Sequence, residues 1–298
     1  MKETIEQFFR ELQDAICHEL EVLDGRQFRE DLWERPGGGG GRTRIIEGEV
    51  IEKGGVNFSA VHGALPEKIG RALGIEAGAF FATGVSIVLH PVNPHVPIIH
   101  MNVRYFELEG GTWWFGGGID LTPHYVVPED ARWFHRQLKA VCDRFDPDYY
   151  PRFKEWADDY FYIPHRGETR GVGGVFFDRL GPEGPVGCAA RFAFVRAIGE
   201  AFAPIYVELA GRHRHRPFSE REKDWQELRR GRYVEFNLVY DKGTKFGLDT
   251  QGRIESILMS LPPRAQWKYD FRPEPGSAEA QTLRWLRKGI DWAGLDLS

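Results

Sequence analysis

Five segments with strand-like patterns follow one another in the first third of the chain, and no regular alternation of strand and helix connects them. They are Ile45–Val50, Asn57–Val61, Phe81–Leu89, Ile98–Leu108 and Trp113–Phe115. Ile98–Leu108 alternates most clearly, with His100, Asn102 and Arg104 on one side and apolar residues on the other. Because a parallel sheet built from βαβ units would need helices between its strands, this order predicts an α+β fold with a largely antiparallel sheet.

Helical patterns dominate the rest of the chain. The spacing of apolar residues predicts helices at 2–23, Glu129–Phe145, Tyr149–Tyr162, Gly187–Ala210, Phe218–Arg230 and Glu279–Gly289. We expect Pro204 to kink or break the fourth of these. A second group of strands is predicted at Tyr233–Tyr240, Phe246–Leu248 and Ile254–Met259. No internal repeat and no long polar linker occurs, so residues 1–298 are predicted to form one domain.

Composition excludes several classes of protein. The charge of 39 − 44 = −5 argues against a dedicated nucleic-acid binder. Cys17, Cys142 and Cys188 are far apart, which excludes a disulfide framework and fits a reducing compartment. The uncharged stretch 77–103 is broken by three prolines, so we expect no membrane insertion. Together with the cysteines, the acidic N-terminus, which does not resemble a signal or transit peptide, predicts a cytoplasmic location.

The run Gly37–Gly41 lacks the features of a P-loop or a dinucleotide-binding turn. We interpret it as a loop between elements. It is either an ordinary surface loop or a flap whose neighbouring arginines meet an anion when it closes.

Histidines give a second signal, with two interpretations. His90, His95 and His100 are spaced by five, and His135 and His165 follow. Several imidazoles that converge would form a metal site. The alternative is a set of hydrogen-bonding groups that exchange protons near neutral pH.

Arginines and two aspartates complete the candidate site. Arg104 lies beside His100 on its strand, and further arginines lie in the polar segments 165–171 and 251–253. They are either solvated charges or a set that captures a small polyanion. Asp120 and Asp241 are predicted at turns, as carboxylates with shifted pKa values or as residues that fix their own turns.

The same segments resemble the oxygen-dependent coproporphyrinogen III oxidases. The matching stretches are GGGGGRTRIIEGEVIEKGGVNFSAVHG (37–63), ATGVSIVLHPVNPHVPIIHMNVRYFE (82–107), WWFGGGIDLTPHY (113–125), YFYIPHRGETRGVGGVFFD (160–178), RRGRYVEFNLVYDKGTKFGL (229–248) and GRIESILMSLPP (252–263). The resemblance implies a large, flat antiparallel sheet of about seven strands, covered by helices on both faces, in a homodimer. It implies that two propionates of coproporphyrinogen III become vinyl groups, giving protoporphyrinogen IX, CO2 and hydrogen peroxide. O2 is the co-substrate and no organic cofactor takes part.

The resemblance also implies roles for individual residues. His100 matches the proposed proton donor, and Asp120 and Asp241 match aspartates that face the pyrrole N–H groups. Substrate contacts are implied for Ser86, Asn102, Val103, Arg104, Gln251, Gly252 and Arg253. Since four propionates need cationic partners, Arg166 and Arg170 join Arg104 and Arg253 as candidates. A divalent metal, which bacterial members are said to use, would be held by His90, His100, His135 and His165.

Two other functions fit the same residues. A metal-dependent hydrolase would use the histidines as ligands and consume no O2. A tetrapyrrole carrier would bind a porphyrin without turnover. The combination of His100, Asp120 and Asp241 favours an enzyme over a carrier.

Overall fold

The computed structural model describes residues 1–65, 70, 78–183, 186–249 and 252–297. Seven of its strands form one antiparallel sheet in the order β1-β2-β3-β4-β5-β6-β9, which confirms the predicted α+β class and strand number. The strands are β1 Arg29–Glu34, β2 Gly39–Ile46, β3 Ile51–Ala64, β4 Ala79–Pro91, β5 Ile98–Leu108, β6 Trp113–Thr122 and β9 Gly173–Leu180. A small hairpin joins β7 Tyr162–Ile163 to β8 Glu168–Thr169.

Helices cover both faces of the sheet. They are α1 Lys2–Asp24, α2 Pro128–Asp143, α3 Tyr149–Tyr160, α4 Cys188–His213, α5 Glu220–Val239, α6 Lys242–Asp249, α7 Ile254–Leu258 and α8 Ala278–Trp285. The helices α1 and α4 pack on one face and share its large apolar core. The helices α5 and α7 lie against the other face, where Tyr233 packs on Val88 and Ile98. α3 runs along the edge strand β9.

The alternation of β5 separates an apolar face from a polar one. Ile99, Met101 and Val103 are fully buried in the α1–α4 core, whereas His100 and Asn102 are half-buried on the opposite face. The period of two therefore directs the polar side chains of this strand to a single surface, as predicted.

The glycine run is not a loop throughout. Gly39, Gly40 and Gly41 belong to β2 and pair with β3, and Gly40 and Gly41 also pair with β1 on the other side. A Cβ on Gly40 would lie 2.2 Å from the Trp33 carbonyl oxygen, so the close backbone approach explains the glycine there. The interpretation of Gly37–Gly41 as a loop was wrong for these three residues, because they are part of a strand of the sheet.

The second predicted strand group was also wrong. Residues 233–239 continue α5, and residues 246–248 and 254–258 lie in α6 and α7. Tyr233, Phe236 and Asn237 are buried at helical spacing, on the same face of α5 as Arg229 and Arg230. Their chance alternation with polar neighbours imitated a strand, and Gly231, which precedes them, does not end the helix.

Three smaller corrections concern Pro204, Asp120 and two strands. α4 continues through Pro204, where the neighbouring Ala203 and Ile205 are buried in the core. Asp120 lies inside β6 rather than at a turn. The strands β1 and β9 had not been predicted.

Within the described ranges, no helix is long and apolar enough to cross a membrane. The single-domain assignment stays a prediction.

Candidate active site

One face of the sheet carries five of the predicted site residues. Strand pairing aligns Asn57, Ser86 and Asn102 in one row and His100 with Asp120 in another. We call the surface formed by Asn57, Ser86, His100, Asn102, Arg104 and Asp120 the polar face. Gly84, Gly116 and Gly118 also lie on it, in register with Arg104 and Asn102. Side chains therefore surround a floor of backbone on which a flat ligand could rest.

His100 and Asp120 form the best-defined pair of this face. Nδ1 of His100 lies 2.7 Å from Oδ1 of Asp120. The imidazole is partly exposed, whereas the Asp120 carboxylate is 2% exposed. Because Nδ1–H donates to the carboxylate, Nε2 is the ring nitrogen left for a ligand over the polar face.

Arg170 contacts the Asp120 carboxylate on its buried side, away from the ligand side of His100. Its Nη2 donates to Oδ2 of Asp120 at 2.6 Å, and its Nη1 donates to Asn237 at 3.1 Å. The guanidinium is caged by three aromatic rings, with centroids at 4.4 Å for Phe161, 4.6 Å for Tyr233 and 4.7 Å for Phe236. At 2% exposure it cannot reach a propionate in the open part of the face, so its place is behind Asp120.

Charge sets the protonation state of Asp120. Burial alone would raise the pKa of this carboxyl, but the charge of Arg170 and the hydrogen bond from His100 lower the pKa below its usual value. Asp120 is consequently a fixed anion that orients His100, rather than a group that readily takes up a proton.

Arg104 lies flat over the sheet beside this unit. Its Nη1 donates to Asn102 at 2.6 Å, and its Nη2 donates to Asp178 at 2.7 Å. A Cβ on Gly116 would lie 2.5 Å from the same guanidinium. Glycine at this position gives Arg104 the space to stay half-exposed, where an anion can meet it.

A second arginine lies at the other end of the polar face. Arg253 precedes α7 and donates to Asp31 of β1 and to Ser256. Ser256 also accepts a hydrogen bond from the amide of Asn57, so α7 is fixed to β3. The other atom of that amide, Oδ1, is buried without a hydrogen-bond partner among the described residues. It is an acceptor available to a donor on a ligand.

Asp241 lies at the start of α6. Its Oδ2 accepts the backbone N–H and the hydroxyl of Thr244, at 2.7 and 2.8 Å. Its Oδ1 accepts the hydroxyl of Tyr160 at 2.8 Å, and Tyr160 stacks on Phe176 of the polar side of β9 at 4.1 Å. Three of roughly four acceptor positions are therefore used, which leaves one for a ligand N–H.

His165 and Arg166 form a separate cluster. Both donate to Glu235 of α5, at 2.7 Å and at 2.6 to 2.9 Å. Burial alone would raise the pKa of Glu235, but these hydrogen bonds lower it to about 2. The structure thus gives Arg166 a protein partner at an exposed position, and does not bring it to the His100–Asp120 pair.

The four histidines predicted as metal ligands have four different environments. His90 bonds the Ser260 carbonyl, and His135 lies between the Tyr150 hydroxyl and the Val172 carbonyl. His135 belongs to the apolar core, where burial lowers its pKa to about 3. In the part of the chain that the structure describes, no three His, Cys, Asp or Glu side chains are grouped to hold a metal ion. These residues do not fit one shared metal site, so we assign no chemical step to a metal.

Three predicted contacts need separate comment. The Val103 side chain is fully buried on the apolar face, so only its backbone can face a ligand of the polar face. Gly252 follows α6 and its N–H donates to the Gly247 carbonyl. Gln251 lies outside the described residues.

A cavity of about 580 Å³ opens elsewhere, lined by Glu6 and Arg10 of α1 and by glycines of β2. None of the predicted site residues lines it. The chemistry-bearing side chains therefore lie on the polar face and not in this cavity.

Comparison with known protein families identifies the family of the chain. The coproporphyrinogen III oxidase family matches residues 4–292 of the 298. The chain belongs to the coproporphyrinogen III oxidase family. Membership in this family makes it an enzyme of porphyrin biosynthesis.

Four residues that contact the predicted site residues or their partners were missed from the sequence. Asp178 and Phe176 share the polar side of β9, and Asp31 and Tyr160 are the partners of Arg253 and Asp241. The alternation of Gly174, Phe176 and Asp178 was the available signal for β9. No local signal pairs Tyr160 with a carboxylate 81 positions away.

Proposed function

We propose that this member of the coproporphyrinogen III oxidase family is oxygen-dependent and converts two propionates of coproporphyrinogen III to vinyl groups. The observation that carries the proposal is the His100–Asp120–Arg170 unit, which directs an imidazole nitrogen toward a glycine floor flanked by Arg104. A reduced tetrapyrrole is wide and carries four carboxylates, and the floor with arginines at two ends supplies matching features.

The chemistry for each propionate balances without an organic cofactor. A hydrogen on the carbon next to the pyrrole leaves with two electrons, and these reduce O2. The electrons of the bond to the carboxylate form the vinyl double bond as CO2 leaves. One further proton completes hydrogen peroxide.

The residues have distinct roles in this proposal. Protonated His100 supplies the further proton from Nε2, and Asp120 holds the ring and stabilises its charge. Asp241 accepts a pyrrole N–H, which favours transfer of electrons from the electron-rich ring to O2. Arg104 and Arg253 hold propionates, with Ser86 and Asn102 beside them.

Homodimer formation and a cytoplasmic location are further proposals that follow from the resemblance. Sedimentation velocity of the purified chain tests the first, since a monomer at micromolar concentration would contradict it. Fractionation of cells that express the chain tests the second.

Oxygen uptake with coproporphyrinogen III, with and without EDTA and with products separated by chromatography, tests the reaction. Protoporphyrinogen IX formed in EDTA supports it. Porphyrin binding without uptake would indicate a carrier, and metal-dependent hydrolysis without uptake would indicate a hydrolase.

The role of His100 has its own test. We expect His100→Asn to lower kcat by roughly 10²-fold or more, as for loss of a positioned acid. Binding of oxidised coproporphyrin III should change little, because the arginines remain. The matched control is His18→Asn, an exposed histidine of α1 on the other side of the sheet. A kcat within a few-fold of wild type for His100→Asn would contradict the assignment.

A further inference from the structure

Each arginine exposed on the polar face is paired with an aspartate that the predicted site did not include. Arg104 donates to Asp178 at 2.7 Å, and Arg253 donates to Asp31. The first pair joins β5 to the edge strand β9, and the second joins the residue before α7 to the opposite edge strand β1. The side of each guanidinium that would meet a propionate therefore already has an anion nearby.

The exposure of these pairs distinguishes them from the buried ion pair below His100. The side chains of Arg104 and Asp178 are 36% and 38% exposed, whereas those of Arg170 and Asp120 are both 2% exposed. An exposed ion pair changes an equilibrium constant by less than about tenfold, and breaking a buried one is far more costly. Only the exposed pairs can exchange one carboxylate for another at little cost.

Resting on the proposed function, we infer that Asp178 and Asp31 are exchangeable counterions that compete with substrate propionates for Arg104 and Arg253. When a propionate binds, it takes over one or more N–H donors of the guanidinium. When that propionate leaves as CO2, the arginine faces an uncharged vinyl group, and the aspartate restores its ion pair.

This exchange gives the two aspartates a role in specificity and release. The substrate begins with four carboxylates and the product retains two, so the product competes less well with the aspartates. Asp178 and Asp31 thereby weaken binding of the decarboxylated ring more than they weaken binding of the substrate. The opposing view is that each aspartate only holds its arginine in place, in which case its removal would weaken binding.

Asp178→Asn separates the two views. Oxidised coproporphyrin III, which is fluorescent and carries four carboxylates, is the binding probe. We expect its Kd to fall roughly 3- to 10-fold in Asp178→Asn, since a competing charge is lost and the isosteric amide remains. An unchanged or higher Kd would overturn the inference. Asp159→Asn, an exposed aspartate that pairs with Lys288, is the matched control and should leave the Kd unchanged.

A double-mutant cycle shows whether Asp178 acts through Arg104. In an Arg104→Gln background, Asp178→Asn should have no further effect on the Kd, and a persistent gain would contradict the exchange. If Asp178→Asn does not fold, Asp31→Asn with Arg253→Gln provides the same comparison.

Steady-state kinetics distinguish a competing role of Asp178 from a merely structural one. In Asp178→Asn we expect KM to fall and kcat to fall with it, because release of the product slows. Absence of turnover in the wild type would contradict only the proposed function. The double-mutant cycle of porphyrin binding would still show whether Asp178 competes for Arg104. A lower kcat with a higher KM would contradict the exchange alone.

Discussion

At the scale of single residues, the hydrogen-bond and ion-pair partners of each polar side chain determine its charge and its role in the site. Asp120 is buried, and it stays ionised because Arg170 and His100 together outweigh its desolvation. Removing one partner of such a buried pair costs about 3–5 kcal/mol, since the remaining charge loses its compensation. Asp120 and Arg170 are therefore poor choices for separating catalysis from stability, and His100 is a better one.

Gly116 provides a test at the same scale. Gly116→Ala would place a methyl group 2.5 Å from the Arg104 guanidinium, which is the flexible end of its side chain. We expect Arg104 to move rather than the strand, so KM for coproporphyrinogen III should rise roughly fivefold, equivalent to about 1 kcal/mol. Steady-state kinetics and thermal unfolding measure both effects.

The control for Gly116 is a helical glycine with open space around it. An added Cβ on Gly211 meets nothing within 4 Å, so Gly211→Ala should leave KM unchanged and stabilise α4 by up to about 1 kcal/mol. An unchanged KM in Gly116→Ala would show that Arg104 does not hold the substrate in the position described.

At the scale of elements, Glu235 connects parts of the chain that are distant in sequence. It accepts hydrogen bonds from His165 and Arg166 beside the β7–β8 hairpin and from Trp267 in the segment after α7. These donors outweigh its burial and lower the pKa of Glu235 to about 2. A carboxyl with a lowered pKa stabilises the fold above its unfolded pKa of about 4.3, and this contribution disappears as pH falls toward 2.

Glu235→Gln should therefore lower the free energy of unfolding by about 1–2 kcal/mol at pH 6, after allowance for partial solvent screening. The difference from wild type should shrink as pH falls from about 4.5 to about 2. Denaturant unfolding over this range measures it, with the exposed Glu155→Gln as control. A difference that stays constant with pH would mean that the hydrogen bonds do not depend on the charge.

At the scale of the whole molecule, three fully buried histidines contribute to the response to mild acid. Burial lowers the pKa of His90, His124 and His135, and nearby positive charge from Arg230 adds to the effect for the first two. The folded state keeps these rings neutral, while the unfolded chain protonates them below about pH 6.5. Unfolding thus takes up protons, so stability must fall as pH drops through this range.

We expect the free energy of unfolding to decrease between pH 6.5 and pH 5, by up to about 1.4 kcal/mol per pH unit for each buried histidine. Denaturant titrations at fixed ionic strength give this slope. A slope near zero in that window would contradict the neutral state of these histidines. The control is His18→Asn, which replaces an exposed histidine and should leave the slope of the free energy of unfolding against pH unchanged.

The sequence predicted those parts of the fold in which local periodicity and burial agree. α1, β4 and β5 lie close to their predicted bounds because one face of each is continuously apolar. The same periodicity placed His100, Asn102 and Arg104 on one surface. It failed at residues 233–239, where a helix buries Tyr233 and Phe236 but the intervening polar residues also alternate.

Side-chain partners on neighbouring strands could not be predicted from local sequence patterns. The contact of His100 with Asp120 depends on the register of β5 against β6, and Arg104 meets Asp178 only because β9 joins β6. Registers of this kind are set by turn geometry and by the packing of the other face. For that reason the sequence indicated individual site residues but not the aspartates that hold two of its arginines.

The late position of β9 along the chain has a consequence for the order in which the protein is made. β6 ends at Thr122, whereas its neighbour β9 begins at Gly173, after α2 and α3. A ribosome that has released only the first 122 residues has supplied six of the seven strands of this sheet, together with His100 and Asp120. Arg170, Asp178 and α5 are still missing at that stage. A nascent chain can therefore hold most of the sheet before the Asp120 carboxylate has its counterion Arg170, and the polar face becomes competent only after β9 and α5 have been made.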